Sequence, residues 1–204
     1  KLLERDGTGA VTQDRHFAPH AAQAIGSSQE TGVIDQCSCE SNGIPKAGYQ
    51  ALRMLGRIGE RKIASGEGWF VSRTENTIQV YLYHYCHYDA LYRYRYQKLT
   101  DPHDAYKVFE VDGRLKIELE LCGLDPGVYR QESWTLNRSA GSTFDKWLEM
   151  EAPRVMTPED LNYLNDMAQP LCKIRDTDTA GALHLQTELE PHEVHLIVLK
   201  KRDG

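Results

Sequence analysis

The sequence lacks any long hydrophobic run. No stretch approaches the roughly 18 apolar residues of a membrane-spanning helix, and the polar sequence after Lys1–Arg5 does not form the apolar core of an export signal. We therefore expect a soluble chain without membrane contact and place it in the cytoplasm. A signal carried by a longer parent protein would lie outside these residues.

An excess of positive charge is also missing. Lys and Arg number 24 against 30 Asp and Glu, which gives a formal net charge of −6 and a pI of about 5.8. A protein that binds a phosphate backbone usually presents a basic field. We therefore expect no nucleic acid partner.

Cysteine is scarce and its count is odd, with five residues scattered along the chain. A chain of 204 residues can bury enough apolar surface to fold without disulfides, so reduced thiols are expected. Cys37 and Cys39 form a C-x-C pair, but no second pair lies at zinc-finger spacing. The sequence predicts neither a metal site nor a cofactor.

Residues 1–43 show no sustained periodicity and are rich in Gly, Ser, Thr, Gln and Asp, which predicts a poorly ordered or atypical N-terminal segment. The turn signal 42–45 ends in Pro45, which suits the first position of a helix. Between 46 and 59, apolar residues recur at spacings of three and predict an amphipathic helix whose apolar stripe is formed by Tyr49, Leu52, Leu55 and Ile58.

From Trp69 onward the apolar period changes to two and β-forming residues dominate. Turn residues separate the strands and predict three hairpins. Their strand ranges are 69–73 with 78–85, 115–121 with 128–138, and 182–189 with 194–199.

Two short helices are predicted between the hairpins. Ser142 can cap a helix that runs to Met150, and Thr157 with Pro158 begins a second helix that ends near Met167. Strands buried on one face need a second layer, so we predict a mainly β fold, an antiparallel β-sandwich with short helices. The sandwich is expected over 67–204, with a helical insert at 142–168.

Several segments in order resemble the C-terminal region of β-xylosidases of glycoside hydrolase family thirty-nine, which are related to α-L-iduronidases. Residues 42–52 are similar to the end of the catalytic barrel of that family. The segments similar to its sandwich are 81–85, 123–129, 136–138, 141–150, 157–161 and 168–170, together with the terminal strand.

This resemblance implies a parent enzyme that removes xylose from xylo-oligosaccharides with retention of configuration, using two glutamates on a (β/α)₈ barrel. The range 44–66 would be a remnant of the last barrel helix and a linker. Residues 1–41 do not resemble the barrel, and neither glutamate segment is present, so no catalytic residue is assigned. The implied partners are the catalytic barrel, xylo-oligosaccharide and further copies of the chain.

Tyrosine is dense between Tyr81 and Tyr96, and aromatic faces can stack on sugars. Alternation of Tyr with Arg over 92–96 favours packing between layers, with arginines stacked on the rings. Tyr88, Asp89 and Tyr92 lie in the intervening loop and are the candidate substrate contacts. The alternative function is therefore an autonomous carbohydrate-binding module that uses the Tyr81–Tyr96 region.

The remaining polar clusters have simpler interpretations. His84 and Cys86 would point to one side of a strand, but a third metal ligand is not evident. A complete small hydrolase would need pairs among the acidic residues Glu149, Glu151, Glu188 and Glu190, whose spacing instead favours solvated charges. Three further predictions are core positions for Trp69, Trp134 and Trp147, solvent-facing Glu118 and Glu120, and an ion pair between Arg138 and Asp145.

Overall fold

The computed structural model describes residues 2–4, 43–110 and 113–202. These residues form two antiparallel sheets and several short helices, which confirms the predicted mainly β fold with short helices. Among the described residues, the strands are β1 (Leu2–Glu4), β2 (Arg61–Gly66), β3 (Trp69–Arg73), β4 (Thr77–Tyr83), β5 (Leu115–Cys122), β6 (Gly127–Leu136), β7 (Leu171–Thr179), β8 (Ala182–Leu189) and β9 (Val194–Lys201).

The helices are short and lie around the sheets. They are α1 (Ala47–Leu55), α2 (Tyr92–Lys98), a 3₁₀ helix (Pro102–Val108), α3 (Thr143–Glu149) and α4 (Pro158–Met167). Ser142 caps α3, because its Oγ accepts a hydrogen bond from the Asp145 N–H at 3.3 Å. Thr157 and Asp160 form a capping box at the start of α4, which confirms both predicted helix starts. No helix of the described residues is both long and apolar enough to cross a bilayer.

The larger sheet has six strands in the order β2-β3-β4-β9-β6-β7, and the smaller sheet has the order β1-β5-β8. The small sheet packs on one face of the large sheet through alternating side chains. Leu119 and Leu121 from β5 are buried with Val80 of β4 and Leu199 of β9 in this inner core. The opposite sides of β5 carry exposed Glu118 and Glu120, as predicted.

A second core lies on the outer face of the large sheet, under α1. Met54 is 2% exposed and packs with Phe70, Tyr81 and Leu196. Arg57, just after the helix, holds Glu132 at 3.4 Å and places its guanidinium 4.5 Å from the Trp134 ring centroid. These contacts fix the helix across β9 and β6.

The predicted apolar stripe of α1 was wrong in two positions. Tyr49 and Leu52 are 55% and 39% exposed, whereas Gln50 and Met54 are buried. A spacing of three residues falls short of the 3.6-residue helical turn by about 60° per step, so the stripe winds away from the sheet. Ala47, Ala51, Met54 and Ile58 keep to one face and form the contact.

Two predicted hairpins were also wrong, although their strands are present. β5 pairs with β8 and β6 pairs with β9, so the connections β5–β6 and β8–β9 cross from one sheet to the other. The alternating pattern specifies which side of a strand is apolar, but it does not specify the partner strand. The pair β3 and β4 is a hairpin, as predicted.

Three elements depart from the predicted assignments. β2 lies in the range 44–66, which was assigned to a barrel helix and linker, and β7 was not predicted. Both are edge strands of the large sheet. Their side chains are largely exposed, so their sequences show little of the apolar alternation from which a strand is predicted. Residues 92–98 are helical, not an extended Tyr–Arg alternation. Tyr94 and Tyr96 are 59% and 51% exposed, so they do not pack between two layers. Without such packing, the alternation of Tyr and Arg does not stabilise a strand.

The N-terminal segment is described only in part. Leu2–Glu4 add a third strand to the small sheet by pairing with β5, in register Leu3 with Glu120. The other residues up to 42, including Cys37 and Cys39, lie outside the described residues. The prediction of a poorly ordered or atypical 1–43 segment stays a prediction, because most of these residues lie outside the described ones.

Gln50 provides a test of the outer core. It is fully buried, and neither its Oε1 nor its Nε2 has a hydrogen-bond partner. Because an unpaired buried amide costs about 1–3 kcal/mol, Gln50→Met should raise the melting temperature of the chain, by about 2–4 °C per kcal/mol gained. Gln97→Met, at an exposed position of α2, is the matched control. A lower melting temperature for Gln50→Met, measured by calorimetry, would contradict the prediction.

Candidate functional site

The segment between β4 and β5 carries a row of stacked rings. Tyr88 lies between Tyr92 and Phe109, with ring centroids 4.7 and 4.8 Å away. Phe109 meets His192 of the β8–β9 turn at 4.4 Å, and His192 meets Tyr106 at 5.8 Å. Each contact falls within the range of favourable aromatic pairs. The row therefore ties the segment to the ends of β8 and β9.

The predicted sugar contacts Tyr88, Asp89 and Tyr92 do lie together, but each is engaged in local structure. The Tyr88 ring stacks with Tyr92 and with Phe109, although 45% of the residue remains exposed. Asp89 accepts a hydrogen bond from the Leu91 N–H at 2.7 Å and lies 3.6 Å from Arg95. The Tyr92 hydroxyl accepts a hydrogen bond from Arg93.

Other apolar side chains of the same segment point outward. Tyr85, Leu91, Tyr94 and Tyr96 are 41%, 58%, 59% and 51% exposed. We call these four residues the aromatic surface. Large apolar side chains exposed in one segment can contact another molecule or domain, and Tyr94 and Tyr96, two positions apart on α2, point to different sides of that helix.

Asp145 anchors the segment to α3. Its Oδ2 accepts hydrogen bonds from the Tyr106 hydroxyl at 2.7 Å and from Ser142 Oγ at 2.5 Å, and its Oδ1 accepts one from Arg138 Nε at 2.8 Å. The predicted Arg138–Asp145 pair is therefore confirmed. Burial, reinforced by the Asp145 carboxylate, raises the pKa of Tyr106, so the phenol remains a proton donor.

A polar cleft of about 280 Å³ opens where the small sheet ends over the large one. β8 is an edge strand of the small sheet, so the inner faces of β6 and β7 extend beyond it. The cleft has a buried apolar inner end between the two sheets and polar walls. Its lining consists of Leu82, Ile117, Leu119, Gln131, Ser133, Trp134, Thr135, Arg175, His184, Leu185, Gln186, Thr187, His195 and Ile197.

The sequence did not predict this cleft. The sequence feature that could have indicated the cleft is one face of β6. Its residues change from apolar to polar along the strand, in the order Tyr129, Gln131, Ser133 and Thr135. The partner strand β7 was not predicted, so the placement of Arg175 opposite Gln131 was not foreseen.

Glu193 closes the end of the cleft behind His195. Its Oε1 accepts hydrogen bonds from Asn137 Nδ2 at 2.9 Å and lies 2.9 Å from His195 Nε2, and its Oε2 accepts one from the Glu190 N–H at 2.9 Å. Burial alone would raise the pKa of Glu193, but these hydrogen bonds outweigh burial and lower the pKa. The carboxylate therefore stays ionised.

The acidic residues that the sequence suggested as catalytic pairs form ion pairs with basic side chains or are exposed to solvent. Glu188 and Glu190 both approach Arg114, at 3.6 and 2.6 Å, on the outer side of the small sheet. Glu149 pairs with Lys146 of its own helix at 2.8 Å. Glu151 is an exposed residue in the turn that follows α3.

The His84 and Cys86 region is structural in character. Cys86 is 1% exposed, while His87 is exposed and packs edge-on against the Tyr85 ring at 4.9 Å. Within the described ranges, no group of three His, Cys, Asp or Glu side chains could hold a metal ion. Trp69 is a buried core residue as predicted, whereas Trp134 and Trp147 are only half-buried.

No protein-family model matches the sequence, but solved structures share its fold. A family 39 glycoside hydrolase from Xanthomonas axonopodis pv. citri superimposes with a TM-score of 0.59 and 13% identity, over 78% of this chain and 31% of that enzyme. A monomeric β-xylosidase from Caulobacter crescentus gives a TM-score of 0.57 and 19% identity, over 79% of this chain and 32% of the enzyme. The chain thus has the β-sandwich fold of these glycoside hydrolases.

Sequence comparison gives a different kind of relative. An uncharacterized HTH-type transcriptional regulator of Staphylococcus aureus strain MRSA252 is 23% identical over 156 residues, which are 75% of this chain and 19% of the regulator. A regulator of strain COL of the same species matches to the same extent. The chain therefore spans about a fifth of these relatives and about a third of the solved glycosidases.

A substitution at Tyr106 tests the Asp145 junction, that is, the hydrogen bonds of Asp145 with Tyr106, Ser142 and Arg138. Tyr106→Phe removes one hydrogen bond to a buried carboxylate, so the free energy of unfolding should fall by about 1.5–3 kcal/mol. Tyr163→Phe, at an exposed tyrosine of α4, removes a hydroxyl from the surface and should change stability little. Urea denaturation measures both variants. Equal small effects would show that the Tyr106 hydrogen bond does not hold the segment.

Glu193 tests the charge at the end of the cleft. Because its folded-state pKa is lowered, its stabilisation is present above the unfolded pKa of about 4.3 and is lost as pH falls through the folded pKa. Glu193→Gln should therefore melt below the wild type at pH 7, and the difference should shrink by pH 3. The control is Glu120→Gln on the exposed side of β5. A gap that is constant with pH would contradict the assignment.

Proposed function

We propose that this chain is the β-sandwich accessory region of a larger glycoside-hydrolase-like protein, in which it supports a catalytic (β/α)₈ barrel and does not hydrolyse glycosides alone. The fold comparison carries this proposal. About four fifths of the chain superimposes on a family 39 enzyme of which it covers 31%. The remaining length of such a protein would supply the catalytic part.

The distribution of carboxylates supports the proposal. Retaining glycosidases need an acid and a nucleophile roughly 5 Å apart across the scissile bond. No Asp or Glu is among the residues that line the polar cleft. Glu188 and Glu190 share Arg114 on the solvent-facing side of the small sheet, where their side chains are 41% and 51% exposed.

The aromatic surface is the proposed contact with the rest of the protein. Tyr85, Leu91, Tyr94 and Tyr96 would leave apolar area in water if the chain were alone. The row of stacked rings and the Asp145 junction hold this surface in place before it binds. A preorganised surface loses less conformational entropy on docking.

The substrate of the larger protein belongs to the same proposal. The resemblance and the β-xylosidase from Caulobacter crescentus support xylo-oligosaccharides. An autonomous carbohydrate-binding module is favoured less, because Tyr88 stacks with Tyr92 and Phe109 and Asp89 is bonded within its own segment. Association of several copies through the aromatic surface is a further part of the proposal.

A second candidate function follows from the curated relatives. Both Staphylococcus aureus proteins are described as HTH-type regulators and match over three quarters of this chain. In a regulator, the sandwich would be a region that senses a small molecule. Its net charge of −6 does not suit a direct contact with DNA.

Hydrolysis distinguishes these candidates. The chain alone should release no 4-nitrophenol from 4-nitrophenyl β-D-xyloside above the blank, whereas the longer protein that contains it should turn the substrate over. The double variant Glu188→Gln/Glu190→Gln is the control, because any contaminating activity would persist in it. Turnover by the chain alone that this variant abolishes would overturn the proposal. A longer protein that binds DNA and does not hydrolyse the xyloside would favour the second candidate.

A further inference from the structure

The polar cleft has an uncompensated positive charge. Arg175 on β7 donates from Nε and Nη2 to Gln131 Oε1, at 3.2 and 3.1 Å, so both hydrogen bonds go to a neutral amide. The cleft lining contains Arg175, His184 and His195, but no Asp or Glu. Glu193 lies behind His195 and is bonded to His195 and Asn137, so it does not pair with Arg175. Among the described residues no carboxylate forms an ion pair with Arg175, which suits its guanidinium to binding an anion from solution.

The guanidinium is held in position by the strand pair. Gln131 is 3% exposed, and its Oε1 also accepts a hydrogen bond from Thr177 Oγ1 at 3.3 Å. Its Nε2 donates to Ser133 Oγ at 2.9 Å, which leaves the Ser133 proton available for a further acceptor. The register places Gln131 directly opposite Arg175, so this network is fixed by backbone pairing.

The rest of the cleft suits a compact ring. Ser133, Thr135 and Thr187 bring hydroxyl groups to the cleft. Leu82, Ile117, Leu119 and Ile197 close its inner end, where the two sheets meet, and each is at most 9% exposed. The volume of about 280 Å³ lies just below the range of small-molecule sites, which runs from roughly 300 to 1,000 Å³. A cleft of this size can hold a single pyranose ring through its hydroxyl groups.

We propose that the cleft binds a carboxylate-bearing monosaccharide, with its carboxylate on Arg175 and its ring hydroxyl groups on Ser133, Thr135 and Thr187. This site is separate from the aromatic surface and from any catalytic centre of a larger protein. It does not depend on the proposed function, because binding is measured on the 204-residue chain without a hydrolysis readout.

The test is calorimetric titration of the chain with D-glucuronate, D-glucose and acetate at low ionic strength. Glucuronate and glucose share the ring and differ in the carboxylate, while acetate carries the charge without the ring. Glucuronate should bind about tenfold or more tightly than either compound. Arg175→Gln should remove the advantage of glucuronate over glucose, and salt should weaken glucuronate binding.

Arg130→Gln is the matched control, because Arg130 lies on the outer face of neighbouring β6, beside Glu132 at 3.7 Å. It should leave glucuronate binding unchanged. Thr187→Val provides a second variant in the cleft, and it should weaken glucose and glucuronate alike. Absence of glucuronate binding to the wild-type chain, equal binding of acetate, or an equal loss in Arg130→Gln would overturn the proposal.

Discussion

The structure depends on the burial of both faces of β9. This strand lies between β4 and β6, and Leu199 faces the small sheet while Leu196 faces α1, each with no exposed surface. It is therefore shared by the two cores, and the apolar run 196–199 within β9 follows from that position. The two layers cannot separate without exposing both cores, so one strand couples the sandwich to its outer helix.

The unequal size of the two sheets explains where function can be located. Three strands cover only part of six, so the inner faces of β6 and β7 remain open and carry polar groups centred on Gln131 and Arg175. Buried polar groups need partners, and the hydrogen bonds of Gln131 and Glu193 meet that need. The aromatic surface lies in the segment between β4 and β5, which the Asp145 junction fixes. The molecule thus presents two surfaces with different chemistry on one scaffold.

The sequence predicts the fold class and most strands because β5 alternates apolar and polar residues and because β-forming residues dominate β3, β4 and β9. It also predicts the starts of α3 and α4, since Ser142 and Thr157 act locally. Strand partners were missed where connections cross between sheets, because alternation is the same for either partner. Tyr88, Asp89 and Tyr92 stay candidate site residues, and the stacking of Tyr88 with Phe109 could not be predicted because Phe109 is distant in sequence. The cleft requires the register of β6 with β7, which composition cannot supply.

Native-state hydrogen exchange on the isolated chain tests most directly whether this sandwich is a self-contained unit. If β9 joins the two cores, its backbone amides should exchange only through global unfolding. The backbone amides of α1 near Met54 should then be protected much more strongly than those of the edge strand β7. If α1 instead exchanges as freely as β7 while β9 stays protected, the outer core is not formed in the chain alone. That result would contradict the two-core account.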